Sequence, residues 1–157
     1  VGELMKAQEK ELTRFIGVSN FNIKLLEDTL DLGAEIMLNQ VEFHPFIDQS
    51  RLRMWMQEKD LLLTAYAPIA HGEVMQNETL KVIGERHGKS PVQVTLRWMM
   101  QLEDVLAIPM TSNPKHVASN FDIFDFELSQ EEMKKIGSLK ATDKRLVNPP
   151  EMAPVWD

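Results

Sequence analysis

Four short apolar runs, separated by helical patterns, constrain the fold of this chain more than any other feature. The runs span residues 15–18, 36–41, 61–66 and 105–108. Strands that alternate with helices form parallel βαβ units. The first run ends in the polar pair Ser19 and Asn20, and the second contains Asn39 and Gln40 at its end. Because the carboxyl ends of parallel strands meet at one edge of a sheet, the sequence predicts one ligand site formed by several strands.

Helix start and stop signals fill the intervals between these runs. Capping residues or capping boxes precede five segments, while the first seven residues already have a helical pattern. The predicted caps are Asn22 for residues 23–32, Asp48 for 49–59, Asn77 for the helix that stops at Gly88, Ser90 before Pro91, and Ser129 before the last helix. The tail from residue 141 contains Pro149, Pro150 and Pro154, which predicts an extended, irregular path.

The length of the chain suits half of a barrel better than a complete small domain. It has 157 residues, of which 43% are hydrophobic and 26% charged, whereas a complete (β/α)8 barrel typically needs about 250 residues. Four parallel strands alone would leave two open edges. We therefore expect the chain to begin inside a larger protein and residues 1–157 to form half of one domain, without a linker or a second domain.

Composition and spacing exclude several classes of function. The formal net charge of −7 and the pI near 5.1 argue against nucleic-acid and anionic-membrane partners. No apolar run approaches the roughly 18 residues of a transmembrane helix, and the absence of cysteine fits the cytoplasm. The glycines form neither a G-x-G-x-x-G turn nor a P-loop. The four histidines lack H-E-x-x-H spacing, so no metal site is expected.

The polar residues near the strand ends have functional and structural interpretations. Ser19 and Asn20 could contact a ligand or cap the next helix. Gln40 is costly to bury without a partner, and a carboxamide ligand would satisfy its donor and its acceptor. Tyr66 is either an aromatic strand residue or a flat surface for a planar heterocycle. His44, before a proline, is interpreted as a structural loop histidine.

A second cluster of polar residues follows the fourth run. Thr111, Ser112 and Asn113 lead into Pro114 and a helical segment. Hydroxyl and amide groups at a helix N-terminus favour an anion, because unpaired N–H groups and the helix dipole point outward. The alternative is that Asn113 is only a helix cap before proline.

Five motifs, taken in order, resemble the aldo-keto reductase family over nearly the whole chain. They are Gly17-Val18-Ser19-Asn20-Phe21, Asn39-Gln40-Val41-Glu42, Tyr66-Ala67-Pro68, Leu96-Arg97-Trp98 and Ile108-Pro109. The resemblance implies a parallel (β/α)8 TIM barrel, of which this chain would be strands five to eight and the closing tail. It also implies NADPH-dependent reduction of a small aldehyde or ketone.

The resemblance assigns coenzyme contacts to two groups of residues. Those near the nicotinamide would be Ser19, Asn20, Gln40, Tyr66, Ala67, Pro68 and Ile69, with Tyr66 stacked on the ring. Those near the adenosine phosphate would be Met110, Thr111, Ser112, Lys115, His116, Ser119 and Asn120. Met110 and His116 stand where the family usually has a Lys and an Arg. NADPH is therefore expected to remain preferred by a smaller margin, with NADH possible.

The family's catalytic Asp, Tyr, Lys and His belong to the first half of the barrel, so no catalytic residue is assigned and the chain alone is expected to be inactive. The tail from Arg145 resembles bacterial 2,5-diketo-D-gluconate reductases, which also reduce methylglyoxal-type carbonyls. Two alternatives stay open. The chain could belong to a non-catalytic nicotinamide-binding sensor, or be a structural half-barrel that assembles with the missing N-terminal half or with another copy.

Overall fold

The four predicted strands form one parallel sheet in sequence order. The computed structural model describes residues 1–149, 151 and 153–156, so Pro150, which the sequence placed in an extended tail, lies outside the described residues. The strands are β1 (Ile16–Ser19), β2 (Ile36–Glu42), β3 (Leu62–Tyr66) and β4 (Val105–Ala107), in the order β1-β2-β3-β4. Every neighbouring pair is parallel, which confirms the predicted α/β class.

Seven α-helices and two 3-10 segments connect and follow the strands in the described part of the chain. The helices are α1 (Gly2–Glu9), α2 (Ile23–Asp31), α3 (Ser50–Glu58), α4 (Glu78–His87), α5 (Pro91–Met100), α6 (Pro114–Phe121) and α7 (Gln130–Ser138). The 3-10 segments are Ala70–Gln76 and Leu139–Thr142. Beyond residue 142 the described tail contains no regular element, as its prolines predict.

Most predicted helix caps are present. The side chains of Asn22 and Asn77 accept hydrogen bonds from the first turns of α2 and α4, and Ser90 and Ser129 form complete capping boxes. These bonds satisfy backbone N–H groups that have no partner inside the helix. Gly33, predicted to end α2, has a left-handed φ of 78°.

The predicted cap of α3 is wrong by one residue. The helix begins at Ser50, and its N-cap position is Gln49, whose side chain makes no capping bond. Gln49 is instead turned inward, where its Nε2 donates to the carbonyl of Glu42 over 3.1 Å. Asp48 still accepts the N–H of Ser50 at 3.0 Å. Gln49 thus bonds to β2, and Asp48 still binds the first residue of the helix.

The hydrophobic core lies between the sheet and the helices. The buried core includes Ile16, Val18, Val41, Leu63, Ala65 and Val105 from the strands, together with Leu26, Met56, Val94 and Met99 from the helices. The alternate strand positions Gly17, Leu38 and Gln40 are only partly buried. Because side chains alternate across a strand, one face of the sheet packs against helices and the other presents these positions.

Two helical glycines provide a test of the packing around α4. A Cβ at Gly84 would lie 2.3 Å from the carbonyl oxygen of Lys89, whereas a Cβ at Gly137 would meet nothing within 4 Å. We expect Gly84→Ala to lower the free energy of unfolding by about 1–3 kcal/mol, the usual cost of overpacking. Gly137→Ala is the matched control and should raise it by about 0.5–1 kcal/mol through helix propensity. Urea denaturation of the protein that contains this chain measures both changes, and equal effects would contradict the packing.

Candidate functional site

Three strands bring the predicted polar residues to the carboxyl end of the sheet. Ser19 pairs with Gln40, Gln40 pairs with Thr64, and Glu42 pairs with Tyr66. The hydroxyl of Ser19 donates to the carbonyl of Gln40 over 2.9 Å. Side chains two residues apart on a strand share a face. Ser19, Gln40 and Thr64 therefore form one layer on the face opposite the helices, and Glu42 and Tyr66 form the next layer toward the strand ends.

A buried amide fixes the loop that follows β1. The fully buried side chain of Asn39 donates to the carbonyl of Phe21 over 2.8 Å and accepts its N–H at 3.3 Å. Asn20 adopts a left-handed φ of 57° and donates its N–H to the carbonyl of Gln40 over 2.9 Å. Neither Ser19 nor Asn20 caps α2, since Asn22 does so, and the capping interpretation of this pair is wrong.

Several polar atoms at this end of the sheet have no protein partner. Asn20 Oδ1, Thr64 Oγ1, Tyr66 Oη and Arg145 Nη1 are buried without a hydrogen bond to any described residue. The partly buried amide of Gln40 makes no side-chain hydrogen bond to the described residues either. Leaving a buried donor or acceptor unpaired costs about 1–3 kcal/mol. These unpaired groups are suited to a polar ligand. Two of the residues, Thr64 and Arg145, are not among the site residues that the sequence predicts.

Tyr66 stays protonated at neutral pH. Burial raises the pKa of its hydroxyl and the carboxylate of Glu42 raises it further. The positive charge of Arg145 opposes the shift, as do the nearby Asn20 side chain and Glu42 backbone to a smaller extent. A protonated hydroxyl keeps both a donor and an acceptor. The chain turns directly after Tyr66, where Ala67 has a left-handed φ of 48°. In this loop Pro68 is buried and Ile69 is partly buried.

The loop between β4 and α6 contains the predicted phosphate contacts. Thr111 Oγ1 accepts the N–H of Asn113 at 3.1 Å and lies 3.4 Å from Nδ1 of His116. Asn113 caps α6 by accepting the N–H of Lys115 at 3.0 Å, which confirms the capping interpretation. Met110 is 93% exposed, and its thioether has no charge to offer an anion.

The other predicted residues of this region lie at the beginning of α6 and in its last turns. Ser112, Lys115 and His116 are exposed near its beginning, whereas Ser119 and Asn120 are half-buried in its last turns. Ser119 donates to the carbonyl of His116 over 3.1 Å, and Asn120 lines a cavity beside Phe121. The structure thus brings Thr111 and His116 together at the helix start and places the final pair farther along.

The tail is attached to the carboxyl end of β2 through one buried carboxylate. Glu42 is fully buried and accepts the N–H groups of Leu146 and Val147 at 2.6 and 2.9 Å. His44 Nε2 lies 2.9 Å from the same carboxylate, while its Nδ1 accepts the N–H of Phe46 at 3.3 Å. Burial opposes ionisation of Glu42, but these hydrogen bonds outweigh it and hold its pKa below the usual value. His44 is therefore structural, as the sequence predicts.

Metal and membrane features are absent from the described residues. They contain no group of three or more His, Cys, Asp or Glu side chains placed to hold a metal ion. None of the helices in the described ranges has the length and apolar character needed to cross a bilayer.

Comparison with known proteins shows the family. The model of the aldo/keto reductase family matches residues 1–141. The chain is 41% identical over 142 residues to aldose reductase B of Dictyostelium discoideum and 44% identical over 140 residues to glyoxal reductase of Bacillus subtilis (strain 168). These alignments cover 88% of the chain but only 45% and 50% of the two relatives. The parallel sheet and its polar edge define part of a TIM barrel, and the chain belongs to the aldo/keto reductase family.

Solved structures agree with this placement. A protein described as a 2,5-diketo-D-gluconic acid reductase B matches the whole chain with a TM-score of 0.96 and 39% identity, over 56% of its own length. Gox0644 in complex with NADPH matches 96% of the chain with a TM-score of 0.90 and 32% identity, again over 56% of its length. The chain therefore spans about half the length of its relatives, and its fold is the corresponding part of an aldo/keto reductase barrel.

Proposed function

We propose that the protein containing this chain reduces aldehydes or ketones with a nicotinamide coenzyme, and that this chain supplies much of the coenzyme site. The observation that carries the proposal is that the buried, unpartnered atoms Asn20 Oδ1 and Tyr66 Oη lie at the same end of the sheet as the partly buried amide of Gln40. The NADPH complex of the related Gox0644 and the glyoxal reductase activity named for the Bacillus relative support it. Oxidation of NADPH by methylglyoxal tests the activity in the full-length protein.

The nicotinamide end of the site follows from the strand layers. A carboxamide carries one carbonyl acceptor and one NH2 donor group, which match the free amide of Gln40 and the unpaired oxygen of Asn20. Tyr66 offers a ring face for stacking, and its hydroxyl lies among buried groups. Bound NADPH would supply the hydride, while these residues orient the ring and hold it against a carbonyl carbon.

The adenosine end would lie at the loop before α6. The hydroxyls of Thr111 and Ser112, the side chain of Lys115 and the helix N-terminus favour an anion there. Nδ1 of His116 lies 3.4 Å from the Thr111 hydroxyl and is a further polar group at this end. We propose NADPH as the preferred coenzyme on this basis, with NADH as the weaker alternative.

The substrate and the remaining catalytic groups are proposed from the family resemblance. The substrate would be a small carbonyl compound of the 2,5-diketo-D-gluconate or methylglyoxal type. We propose that residues 1–157 make up strands five to eight and the tail of one barrel domain. The other half would provide the proton donor for the forming alkoxide.

The coenzyme preference should depend on the charge at position 116. The dissociation constant of NADH divided by that of NADPH is expected to grow in His116→Arg, because a guanidinium there is always charged and pairs with the 2′-phosphate. Fluorescence titrations with both coenzymes measure this ratio. His116→Gln is the matched uncharged variant and should not raise it. An unchanged ratio in His116→Arg would exclude position 116 from the site.

A further inference from the structure

Arg145 is the unexplained charged group at the carboxyl end of the sheet. Its side chain is half-buried, and Nη1 is fully buried without a hydrogen-bond partner among the described residues. The guanidinium carbon lies 3.7 Å from the ring centre of Trp156, so the indole covers one of its faces. Arginine presents five N–H donors and is always charged. A buried guanidinium nitrogen that makes no hydrogen bond is costly, and an external acceptor for Nη1 would remove that cost.

The carboxylate of Glu42 already accepts hydrogen bonds from other groups. Glu42 acts electrostatically on Arg145, yet its two oxygens accept from Leu146, Val147 and His44. His44 Nδ1 accepts a backbone N–H, so Nε2 carries the hydrogen and His44 donates to Glu42 as a neutral ring. Glu42 therefore retains its charge and fixes the backbone next to Arg145 without giving the guanidinium a hydrogen bond.

The position of Arg145 indicates where an acceptor would come from. Arg145 directly precedes Leu146, whose N–H binds the carboxylate of Glu42, and Glu42 pairs with Tyr66 in the sheet. These contacts place Arg145 near the proposed nicotinamide surface. The tail around it is held by further bonds: Trp156 Nε1 donates to Asn148 over 2.8 Å, and Asn22 Nδ2 donates to the carbonyl of Val155 over 2.7 Å. No hydrogen bond among the described residues joins this tail to the proposed phosphate loop.

We infer that Arg145 binds a carboxylate carried by the carbonyl substrate, and that Glu42 is a positioning residue that holds the tail so that Arg145 lies over the site. This inference rests on the proposed function and predicts that, among its carbonyl substrates, the protein favours aldehydes and ketones that bear an acidic group. Guanidinium and carboxylate match in geometry, and their charge-assisted hydrogen bonds are among the strong ones. An anion at Arg145 would supply the missing acceptor at the site.

The test compares two aldehydes of similar shape that differ in charge. Steady-state kinetics on the full-length protein with NADPH would use 4-carboxybenzaldehyde and 4-nitrobenzaldehyde. The measured quantity is the kcat/KM for the charged aldehyde divided by that for the neutral one. Arg145→Met is expected to lower this ratio by roughly 10- to 100-fold, because a hydrogen-bonded charge pair is lost. Arg145→Lys should retain part of the ratio. Arg51→Met, at an exposed position of α3, is the matched control and should keep it.

Glu42→Gln tests the positioning role separately. An amide cannot accept hydrogen bonds through its NH2 group, so one of the two backbone bonds to the tail is lost. We expect faster hydrogen exchange at the N–H groups of Leu146 and Val147, together with a lower charged-to-neutral ratio. Unchanged exchange, or faster exchange with an unchanged ratio, would overturn this part of the inference.

The outcomes separate the inference from the proposed function. If the unmodified protein reduces neither aldehyde, the proposed function fails. If it reduces both and Arg145→Met leaves the ratio within about twofold, carboxylate recognition is overturned and Arg145 only packs the tail. Carboxylate recognition would also be overturned if Arg145→Met raised the dissociation constant of NADPH and lowered kcat/KM equally for both aldehydes. Arg145 would then contact the coenzyme.

Discussion

The 157-residue chain, produced alone, is expected to show no measurable reduction of methylglyoxal with NADPH, while the full-length protein is expected to be active. The reason is our proposal that the proton donor for the forming alkoxide lies in the other half of the barrel. General acid catalysis by one positioned group contributes roughly 10²–10⁴-fold, and the first half of the barrel would also close the site. Steady-state assays of both proteins at equal concentration measure the difference.

A folded short chain makes this comparison meaningful. Circular dichroism should show the helical content of the seven α-helices before turnover is compared. Robust turnover by the folded short chain would contradict the assignment of the proton donor to the other half. An inactive full-length protein that still binds NADPH would favour the non-catalytic sensor instead.

Gln40→Ala and Tyr66→Ala are expected to have the largest effects among single substitutions in the proposed coenzyme site. Gln40 lies in the middle of the polar layer between Ser19 and Thr64. In the proposed complex, its loss would leave the carboxamide of the nicotinamide without one hydrogen-bond partner. Losing a buried hydrogen bond costs about 1–3 kcal/mol, which is roughly a 5- to 150-fold change in binding or rate. Tyr66→Ala removes the stacking surface and should weaken binding to a similar extent.

Matched variants separate binding from folding. Tyr66→Phe keeps the ring and should retain most of the coenzyme affinity, which isolates stacking from the hydroxyl. Gln57→Ala removes an exposed glutamine on α3 and should leave the affinity unchanged. Thermal unfolding of each variant without coenzyme checks that the barrel stays intact.

The strands and most helix ends could be predicted from local patterns. Apolar runs marked all four strands within one or two residues, and short polar side chains marked the starts of α2, α4, α5 and α7. These signals are local, because a cap bonds within its own first turn. The start of α3 differs from the prediction by one residue, and the tertiary bond of the Gln49 side chain to β2 is not visible in the local pattern.

The site was only partly predictable for a related reason. Ser19, Gln40 and Tyr66 follow or end apolar runs, so their common edge follows from parallel pairing alone. The bond between Glu42 and Leu146 joins positions 104 residues apart, and no sequence spacing indicates such a contact. Arg145 was missed as a site residue because its lack of a partner depends on which bonds Glu42 has already made.

The dissociation constant of NADPH for the full-length protein tests the proposed coenzyme site most directly. It should be measured for the unmodified protein and for four variants: Gln40→Ala, Tyr66→Ala, Tyr66→Phe and Gln57→Ala. The account predicts weaker binding by roughly 5- to 150-fold for the two site variants that become alanine, with near-normal binding for Tyr66→Phe and Gln57→Ala. Unchanged affinity in both Gln40→Ala and Tyr66→Ala would contradict it and leave these residues with a structural role only.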